Sequence, residues 1–344
     1  MADDRETPFG PDPDLREESM QLGADPEMIE LRADAASEDS EDSEDSELEI
    51  PGATRKEHEL EADAAAAAEQ QRQRRYLIKA LLRSPTFMIG LILVLFWVFM
   101  ALLSTYITQS PTHTDPAISL KPPSPEHWFG TDNLGRDVFA RTMAGARTVL
   151  IIAPIATLLA LLWGGIIGLI AGFWRGLTDE IIMRLIDVLL ALPIIITSIL
   201  ILSLLGKGTV IIIVAIGALF TPVVSRTVRA AVIGEREREY VLAARLRGER
   251  SAFVMSREIL PNITQPIIVE GTIRLGYAVF TAATLSFLGF GLAPPSPDWG
   301  LTIANQRIFL QIAPWAVLFP AAALASLVVA VNLITDGLGR TFSK

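Results

Sequence analysis

Few residues of this chain have the type and spacing that catalysis or metal binding requires. The sequence contains no cysteine, which excludes disulfides, thiolate metal sites and cysteine nucleophiles. Its three histidines, His58, His113 and His127, do not have the spacing of a zinc site. We therefore expect no catalytic centre, no metal site and no cofactor in this chain.

One short segment has a superficial likeness to a phosphate-binding loop. It reads Gly206-Lys207-Gly208-Thr209, but the glycine that should lie upstream is missing. The segment also lies between two apolar runs, on the side of the membrane opposite to most basic residues. ATP hydrolysis by this chain is therefore not expected, and no nucleic-acid partner is expected either.

Charged residues at helical spacing form a second group of candidates. Asp132 and Arg136 are four positions apart, and so are Asp137 and Arg141. Each couple could pair across one turn of a short amphipathic helix from Asp132 to Arg147. The alternative is an external site for a solute or a metal.

Four ionisable residues lie near or within apolar runs, where charge is costly and often functional. They are Asp187, Glu270, Arg274 and Asp336. We expect them at the cytoplasmic ends of membrane spans, where anchoring or packing is favoured over contact with a solute. Glu270 and Arg274 are four positions apart, which predicts an ion pair.

These candidates belong to a chain that is dominated by long apolar runs. Ile308 to Thr335 contains 28 consecutive uncharged residues, and Thr148 to Trp174 contains 27. About 20 apolar residues in a helix span a hydrocarbon core of ~30 Å. The sequence therefore predicts an all-α integral membrane protein with six transmembrane helices. We expect these at residues 86–108, 147–173, 181–205, 209–230, 265–291 and 314–336.

Glycines and prolines indicate how some of these spans pack and bend. Pro193 and Pro320 lie inside the third and sixth spans, and each is expected to kink its helix. Four glycines of the second span have the spacing that is typical of close packing between membrane helices. They are Gly164, Gly165, Gly168 and Gly172.

Basic residues are divided unevenly between the two sides of the predicted bundle. Five lie between positions 72 and 83, and six more lie between positions 236 and 257, in the connection between spans four and five. Because Lys and Arg favour the cytoplasmic side, both termini are expected in the cytoplasm. The long loop 109–146 is then expected outside.

Residues 1–70 differ sharply in composition from the rest of the chain. They contain 24 acidic and five basic residues, whereas the remainder contains 15 acidic and 24 basic residues. Dense like charge and the acidic stretch from Ser37 to Asp45 oppose collapse, so a disordered acidic cytoplasmic tail is expected. The alternative is a docking or regulatory arm.

The connection between spans four and five is the most informative segment. It fits two short helices that are separated by Gly248 and stop before Pro261. The first helix would present one strip to a partner, formed by Tyr240, Ala243, Ala244 and Arg247. A helix that only lies on the bilayer surface is the alternative.

Residues of this loop keep the order and spacing of a known motif. Ala243-Ala244 precede Gly248, and Leu260-Pro261 follow, with thirteen positions from the glycine to the proline. This pattern resembles the cytoplasmic coupling motif of ABC importer permeases, although Leu242 replaces the usual acidic residue. Four further segments resemble the second permease of dipeptide/oligopeptide-type systems, at residues 129–137, 285–292, 294–300 and 332–338.

The resemblance covers roughly residues 75–344 and implies a type I ABC importer permease fold. It implies import of a small solute, first of all di- or oligopeptides, across the cell membrane. The implied partners are a second homologous permease subunit, two ATP-binding subunits, an extracellular solute-binding protein and the lipid bilayer. The implied coupling residues are Glu239, Tyr240, Ala243, Ala244, Arg247, Gly248, Leu260 and Pro261.

The implied domain organisation has four parts. Residues 1–70 are the tail, 71–146 hold the first span and the external loop, 147–337 form the transmembrane domain, and 338–344 form a short cytoplasmic tail.

Three other functions compete with this one. An ion-coupled secondary transporter would favour ionisable residues at the membrane midplane and an inverted repeat, and neither is evident in the sequence. A structural membrane scaffold would leave the cytoplasmic loop without a role. A permease of the same family for nickel or another small solute remains open, and no solute-binding residues are assigned.

Overall fold

The computed structural model describes residue 72 and residues 79–107 and 110–342, which form a helical bundle. The predicted tail at 1–70 lies outside the described residues. In chain order the main helices are α1 (Pro85–Ile107), α2 (Val138–Phe173), α3 (Leu177–Leu190), α4 (Ile194–Leu205), α5 (Thr209–Glu235), α6 (Glu239–Leu246), α7 (Thr264–Phe287), α8 (Trp299–Gln306) and α9 (Trp315–Phe342). Because α9 continues to Phe342, most of the short tail predicted at 338–344 belongs to this helix.

Five of these helices, α1, α2, α5, α7 and α9, are each long and apolar enough to cross a membrane. A sixth span results if α3 and α4 are counted as one bent unit. The multi-pass helical membrane architecture is therefore confirmed.

The span predicted at 181–205 consists of two helices in the structure. α3 and α4 meet at an angle of 87°. Pro193 lies at this junction as the N-cap residue of α4, and it has no N–H to continue the hydrogen-bond ladder of α3. The kink predicted at Pro193 is therefore confirmed, in the stronger form of a break between two helices.

The contact between α2 and α5 is built on glycine. A Cβ atom added at Gly164, Gly168 or Gly172 would lie 2.6, 2.6 or 2.7 Å from the nearest atom of α5. Only a residue without a side chain lets the two backbones come this close. Close packing is thus confirmed for three of the four predicted glycines, whereas the Cβ position of Gly165 has no such neighbour within 4 Å.

The short external helix predicted from Asp132 to Arg147 is wrong. α2 begins at Val138 and continues for 36 residues to Phe173. Asp137 is its N-cap, since its carboxylate accepts hydrogen bonds from the N–H groups of Phe139 (2.8 Å) and Ala140 (3.5 Å). The second half of the predicted helix is therefore the first part of a membrane helix.

Asp132 and Arg136 form the predicted ion pair, with 2.7 Å between Oδ2 and Nε, but they do so in a turn. The predicted pair of Asp137 with Arg141 is wrong, because Asp137 caps α2 and lies 3.6 Å from Nδ1 of His127. The Arg141 side chain is buried and is directed elsewhere.

Arg141 joins the loop between α1 and α2 to the segment that precedes α8. Its guanidinium donates hydrogen bonds to the carbonyl oxygens of Pro111 (3.0 Å), Pro295 (3.3 Å) and Ser296 (2.9 Å). Each of these groups is a backbone oxygen that needs a partner when buried. A buried cation therefore fastens the start of α2, the chain at Pro111 and the segment before α8 into one cap.

Glu270 and Arg274 form the predicted ion pair, with 2.7 Å between Oε1 and Nε. Their predicted location at the end of a span stays a prediction. A Cβ atom added at Gly271 would lie 2.8 Å from Cδ1 of Leu161 on α2, and Glu270 accepts a hydrogen bond from Thr227 on α5. The pair therefore lies where α7 packs on α2 and α5, whereas Asp336 is exposed near the end of α9.

Candidate functional site

The α5–α7 loop, residues 236–263, begins with the short helix α6 and a sharp turn. Gly248 makes this turn at a φ of +79°, a left-handed conformation that residues with a Cβ rarely adopt. The N–H of Gly248 donates to the carbonyl of Arg245 (3.0 Å), and that of Glu249 donates to the carbonyl of Ala244 (3.2 Å). These bonds satisfy the last carbonyls of α6. The break predicted at Gly248 is confirmed.

The second helical stretch of the loop does not stop before Pro261, so this prediction is wrong. Ser251–Phe253 continues as a π-helix, Val254–Ile259, and then as Leu260–Asn262. Leu260 donates its N–H to the carbonyl of Met255, the wider spacing of a π-helix. Pro261 falls in the first turn after this change, where a missing N–H leaves no bond unmade.

Tyr240 ties both helical stretches of the loop to the end of α5. Its hydroxyl donates to Oε1 of Glu235 (2.8 Å) and accepts from Nδ2 of Asn262 (3.1 Å). The same amide donates to the carbonyl of Glu258 (2.7 Å). Burial, assisted by the hydrogen bond to the Glu235 carboxylate, raises the pKa of Tyr240 to about 12. The hydroxyl therefore remains protonated, as its bond to Glu235 requires.

Two arginines attach the loop to the end of α2. Arg236 donates from Nη1 to the carbonyls of Phe173 (2.7 Å) and Gly172 (3.4 Å). The guanidinium of Arg245 lies 4.6 Å from the centroid of the Phe173 ring. The loop thus holds α2 as well as α5, and a displacement of α6 would act on both helices.

The predicted contact strip of α6 is divided between two faces. Ala244 is fully buried within the chain, so it does not lie on an outer surface, contrary to the prediction. Tyr240 is half-buried, whereas Ala243 and Arg247 are exposed. Arg247 also has an acidic neighbour in its own chain, with 3.8 Å between Nη2 and Oε1 of Glu258.

The remaining predicted coupling residues surround this helix. Glu239, Gly248 and Pro261 are exposed, and Leu260 is half-buried.

The exposed side of α6 is formed by Leu242, Ala243, Leu246 and Arg247, which we call the outward face. Leu246 is 89% exposed and Leu242 is 48% exposed. Residues three and four positions apart share one side of a helix, so these four side chains form a continuous surface. A small apolar surface with a charged rim is typical of a protein–protein contact.

Sequence reasoning missed the residues that hold the loop in place. The charge pattern identifies Arg236 only as a positive charge, and its bond to the Phe173 carbonyl joins residues 63 positions apart without a local signal. The contact of Asn262 with Tyr240 joins residues 22 positions apart and has no local sequence signal.

Comparisons with known proteins identify the family of this chain. Residues 164–344 match the family described as binding-protein-dependent transport system inner membrane component. Residues 73–123 match the N-terminal TM domain of oligopeptide transport permease C. The first match covers more than half of the chain and includes the whole α5–α7 loop.

Individual relatives extend over most of the chain. It is 39% identical over 265 residues to the dipeptide transport system permease protein of Alkalihalophilus pseudofirmus, which covers 77% of this chain and 87% of the relative. It is 38% identical over 252 residues to the oligopeptide transport system permease protein of Bacillus subtilis, covering 73% and 83%. It is 37% identical over 256 residues to the di/tripeptide transport system permease protein of Pseudomonas aeruginosa, covering 72% and 84%. The chain therefore belongs to the family of binding-protein-dependent transport system inner membrane components, among the permeases of peptide ABC transporters.

Proposed function

We propose that this permease subunit moves di- or oligopeptides into the cell, driven by ATP that separate subunits hydrolyse. The names of its relatives, which refer to dipeptides, tripeptides and oligopeptides, support a peptide solute. The same family supports an assembly with a second permease, two ATP-binding subunits and an extracellular solute-binding protein. Residues 147–337 form the transport domain of this subunit, and residues 71–146 add the first span and the external loop.

The observation that carries this proposal is the outward face of α6. Leu242, Ala243 and Leu246 place apolar surface on a loop that projects from the ends of two membrane helices. An ATP-binding subunit covers this face. Since Leu242 replaces the acidic residue of the family motif, the contact is more apolar here, and the exposed carboxylates of Glu239 and Glu249 supply its acidic groups.

The contacts between the α5–α7 loop and the helices α2 and α5 transmit the movement of α6 to the membrane helices. When the ATP-binding subunits close, they displace α6. Tyr240 transmits this displacement to α5 through Glu235, and Arg236 and Arg245 transmit it to α2 through Phe173. Because α2 and α5 pack backbone to backbone, the pair tilts as one body. Such a switch requires contacts that differ between two states, and α6 is where they differ.

The orientation of the subunit follows from the uneven distribution of basic residues between the two sides of the bundle. The α5–α7 loop contains six basic residues and lies in the cytoplasm together with both termini. The cap that Arg141 fastens lies outside, where a solute-binding protein delivers its peptide.

Transport by the reconstituted complex tests this function. Proteoliposomes that contain both permeases and both ATP-binding subunits should accumulate a labelled dipeptide only with ATP and the loaded binding protein. A proton or sodium gradient alone should drive no uptake. Accumulation driven by a gradient without ATP would instead establish an ion-coupled secondary transporter.

A further inference from the structure

The ion pair of Glu270 and Arg274 lies within a helix that is long and apolar enough to cross a membrane. Arg274 is the eleventh of the 24 residues of α7, and a helical rise of about 1.5 Å per residue puts it roughly 15 Å from the start of the helix. Phe220, its aromatic neighbour on α5, is close to the middle of that helix as well. Ionisable groups within membrane helices are expensive, and they usually mark a pathway for ions or solutes.

Glu270 is held more firmly than Arg274. Its Oε2 accepts a hydrogen bond from Thr227 of α5 (3.2 Å), and its side chain is 9% exposed. Nε of Arg274 lies 2.7 Å from Oε1 of Glu270, but the angle does not suit a hydrogen bond. The other contacts of Arg274 that the structure shows are to aromatic rings, at 5.9 Å from the centroid of Phe220 and 4.9 Å from that of Tyr277. Arg274 therefore keeps donors for a further acceptor.

The exposed side of α7 next to Arg274 is aromatic and polar. We call it the Tyr277 face, and its members are Tyr277, Phe280, Thr284 and Phe287, which recur at helical spacing. Tyr277 is 54% exposed and Phe280 is 55% exposed. A second cation, Arg307, lies 5.6 Å from the centroid of the Phe287 ring at the other end of this face.

The Tyr277 face differs in composition from the exposed face of α2. The exposed residues in the second half of α2 are all aliphatic, namely Leu158, Leu162 and Ile166. Hydrocarbon offers no hydrogen-bond partner, so the Tyr277 hydroxyl and the Arg274 guanidinium are unsuited to that environment. They suit a water-filled passage.

We propose that the Tyr277 face lines the translocation path and that Arg274 binds the carboxylate of the peptide in passage. In the resting state Glu270 balances the charge of Arg274. The carboxylate of an arriving peptide binds Arg274 alongside Glu270. The aromatic rings contact the apolar side chains of peptides of differing sequence. The identity of the solute in this inference rests on the proposed function, whereas the exposure of the Tyr277 face does not.

Thiol labelling of the assembled complex tests the exposure of the face. The native chain has no cysteine, so Tyr277→Cys introduces a single thiol into this subunit. A nearby cation attracts anions, so anionic sulfonatoethyl methanethiosulfonate should react about tenfold faster than the cationic trimethylammonioethyl reagent, relative to free cysteine. Leu162→Cys, on the aliphatic face of α2, should react with neither.

Two companion variants show whether Arg274 causes this preference. Adding Arg274→Lys to Tyr277→Cys should preserve it, and adding Glu270→Gln with Arg274→Gln should abolish it. Both charges are removed together because a single buried charge without its partner is strongly destabilising. A Tyr277→Cys thiol as inert as the Leu162→Cys thiol, or one that reacts equally with both reagents, would overturn the proposal.

Peptide uptake tests the role of the cation. The Glu270→Gln/Arg274→Gln protein should assemble and hydrolyse ATP, yet import peptide at least about tenfold more slowly, whereas Arg274→Lys should stay close to the wild type. Uptake by the double variant at the wild-type rate would overturn carboxylate binding by Arg274. Because labelling needs neither ATP nor peptide, failure of the proposed function and failure of this inference give different results.

Discussion

The hydroxyl of Tyr240 lies 3.1 Å from the side-chain amide of Asn262, a residue 22 positions later in the chain. This hydrogen bond closes the α5–α7 loop where its two helical stretches meet the end of α5. Glu235 completes the junction by accepting from the same hydroxyl. A loop closed in this way moves as one rigid unit. Such rigidity is required if the loop is to transmit movement from an ATP-binding subunit to this permease.

Tyr240→Phe should weaken this junction while leaving the ring in place. Two hydrogen bonds are lost at about 1 kcal/mol each, so the free energy of unfolding should fall by about 1–2 kcal/mol. Thermal unfolding of the purified protein measures this loss. Tyr106→Phe is the matched control, because Tyr106 is 86% exposed, and it should change nothing.

The contribution of Tyr240 should also depend on pH. Its pKa is raised to about 12 in the folded protein, from an ordinary value of 10.0. The stabilisation is therefore complete below about pH 10 and is lost as the pH rises through about 12. The difference between wild type and Tyr240→Phe should shrink over that window, and a difference that grew there would contradict the assigned hydrogen bonds.

Two glycines of α2 should respond differently to the same substitution. Gly168→Ala places a Cβ 2.6 Å from the carbonyl oxygen of Ser225, so it should push α5 away and destabilise the bundle by about 1–3 kcal/mol. Gly165→Ala meets no atom within 4 Å and should be neutral or slightly stabilising. The yield of monodisperse protein and its unfolding temperature compare the two variants, and equal behaviour would contradict the α2–α5 contact.

Labelling of intact cells tests the proposed orientation. Glu126 is exposed on the loop between α1 and α2, so Glu126→Cys should react with an impermeant thiol reagent added outside. Ser251→Cys, which is exposed on the α5–α7 loop, should react only after the cells are opened. The reverse pattern would place the loop outside and end its role in coupling to ATP.

Hydropathy predicted the spans well because a membrane helix must satisfy its backbone internally and needs an apolar exterior. The angle between α3 and α4 was not predictable, since Pro193 signals a kink but not its size. The ion pair of Glu270 and Arg274 was predictable from its helical spacing. The hydrogen bond from Thr227 to Glu270 was not, since it joins residues 43 positions apart.

The structure of the α5–α7 loop was also predictable only in part. Its two helical stretches and the positive φ of Gly248 follow from local rules on glycine. The burial of Ala244 does not, because it depends on how the second stretch folds back on α6. The N-cap role of Asp137 was also missed, since an acid followed four residues later by a base fits an ion pair as well as a cap.

The central claim is that the outward face of α6 couples ATP hydrolysis to transport. Ala243→Asp puts a charge into that face, and Gly248→Val forces a β-branched residue into a left-handed conformation. The matched controls are Ala243→Ser, which is small and uncharged, and Gly248→Asn, because asparagine tolerates this conformation.

The most direct measurement is ATP hydrolysis by the reconstituted complex, with and without the peptide-loaded binding protein. Ala243→Asp and Gly248→Val should insert normally but lose the stimulation by the loaded binding protein, while both controls keep it. Full stimulation and wild-type peptide uptake in Ala243→Asp and Gly248→Val would show that this face is not the coupling surface.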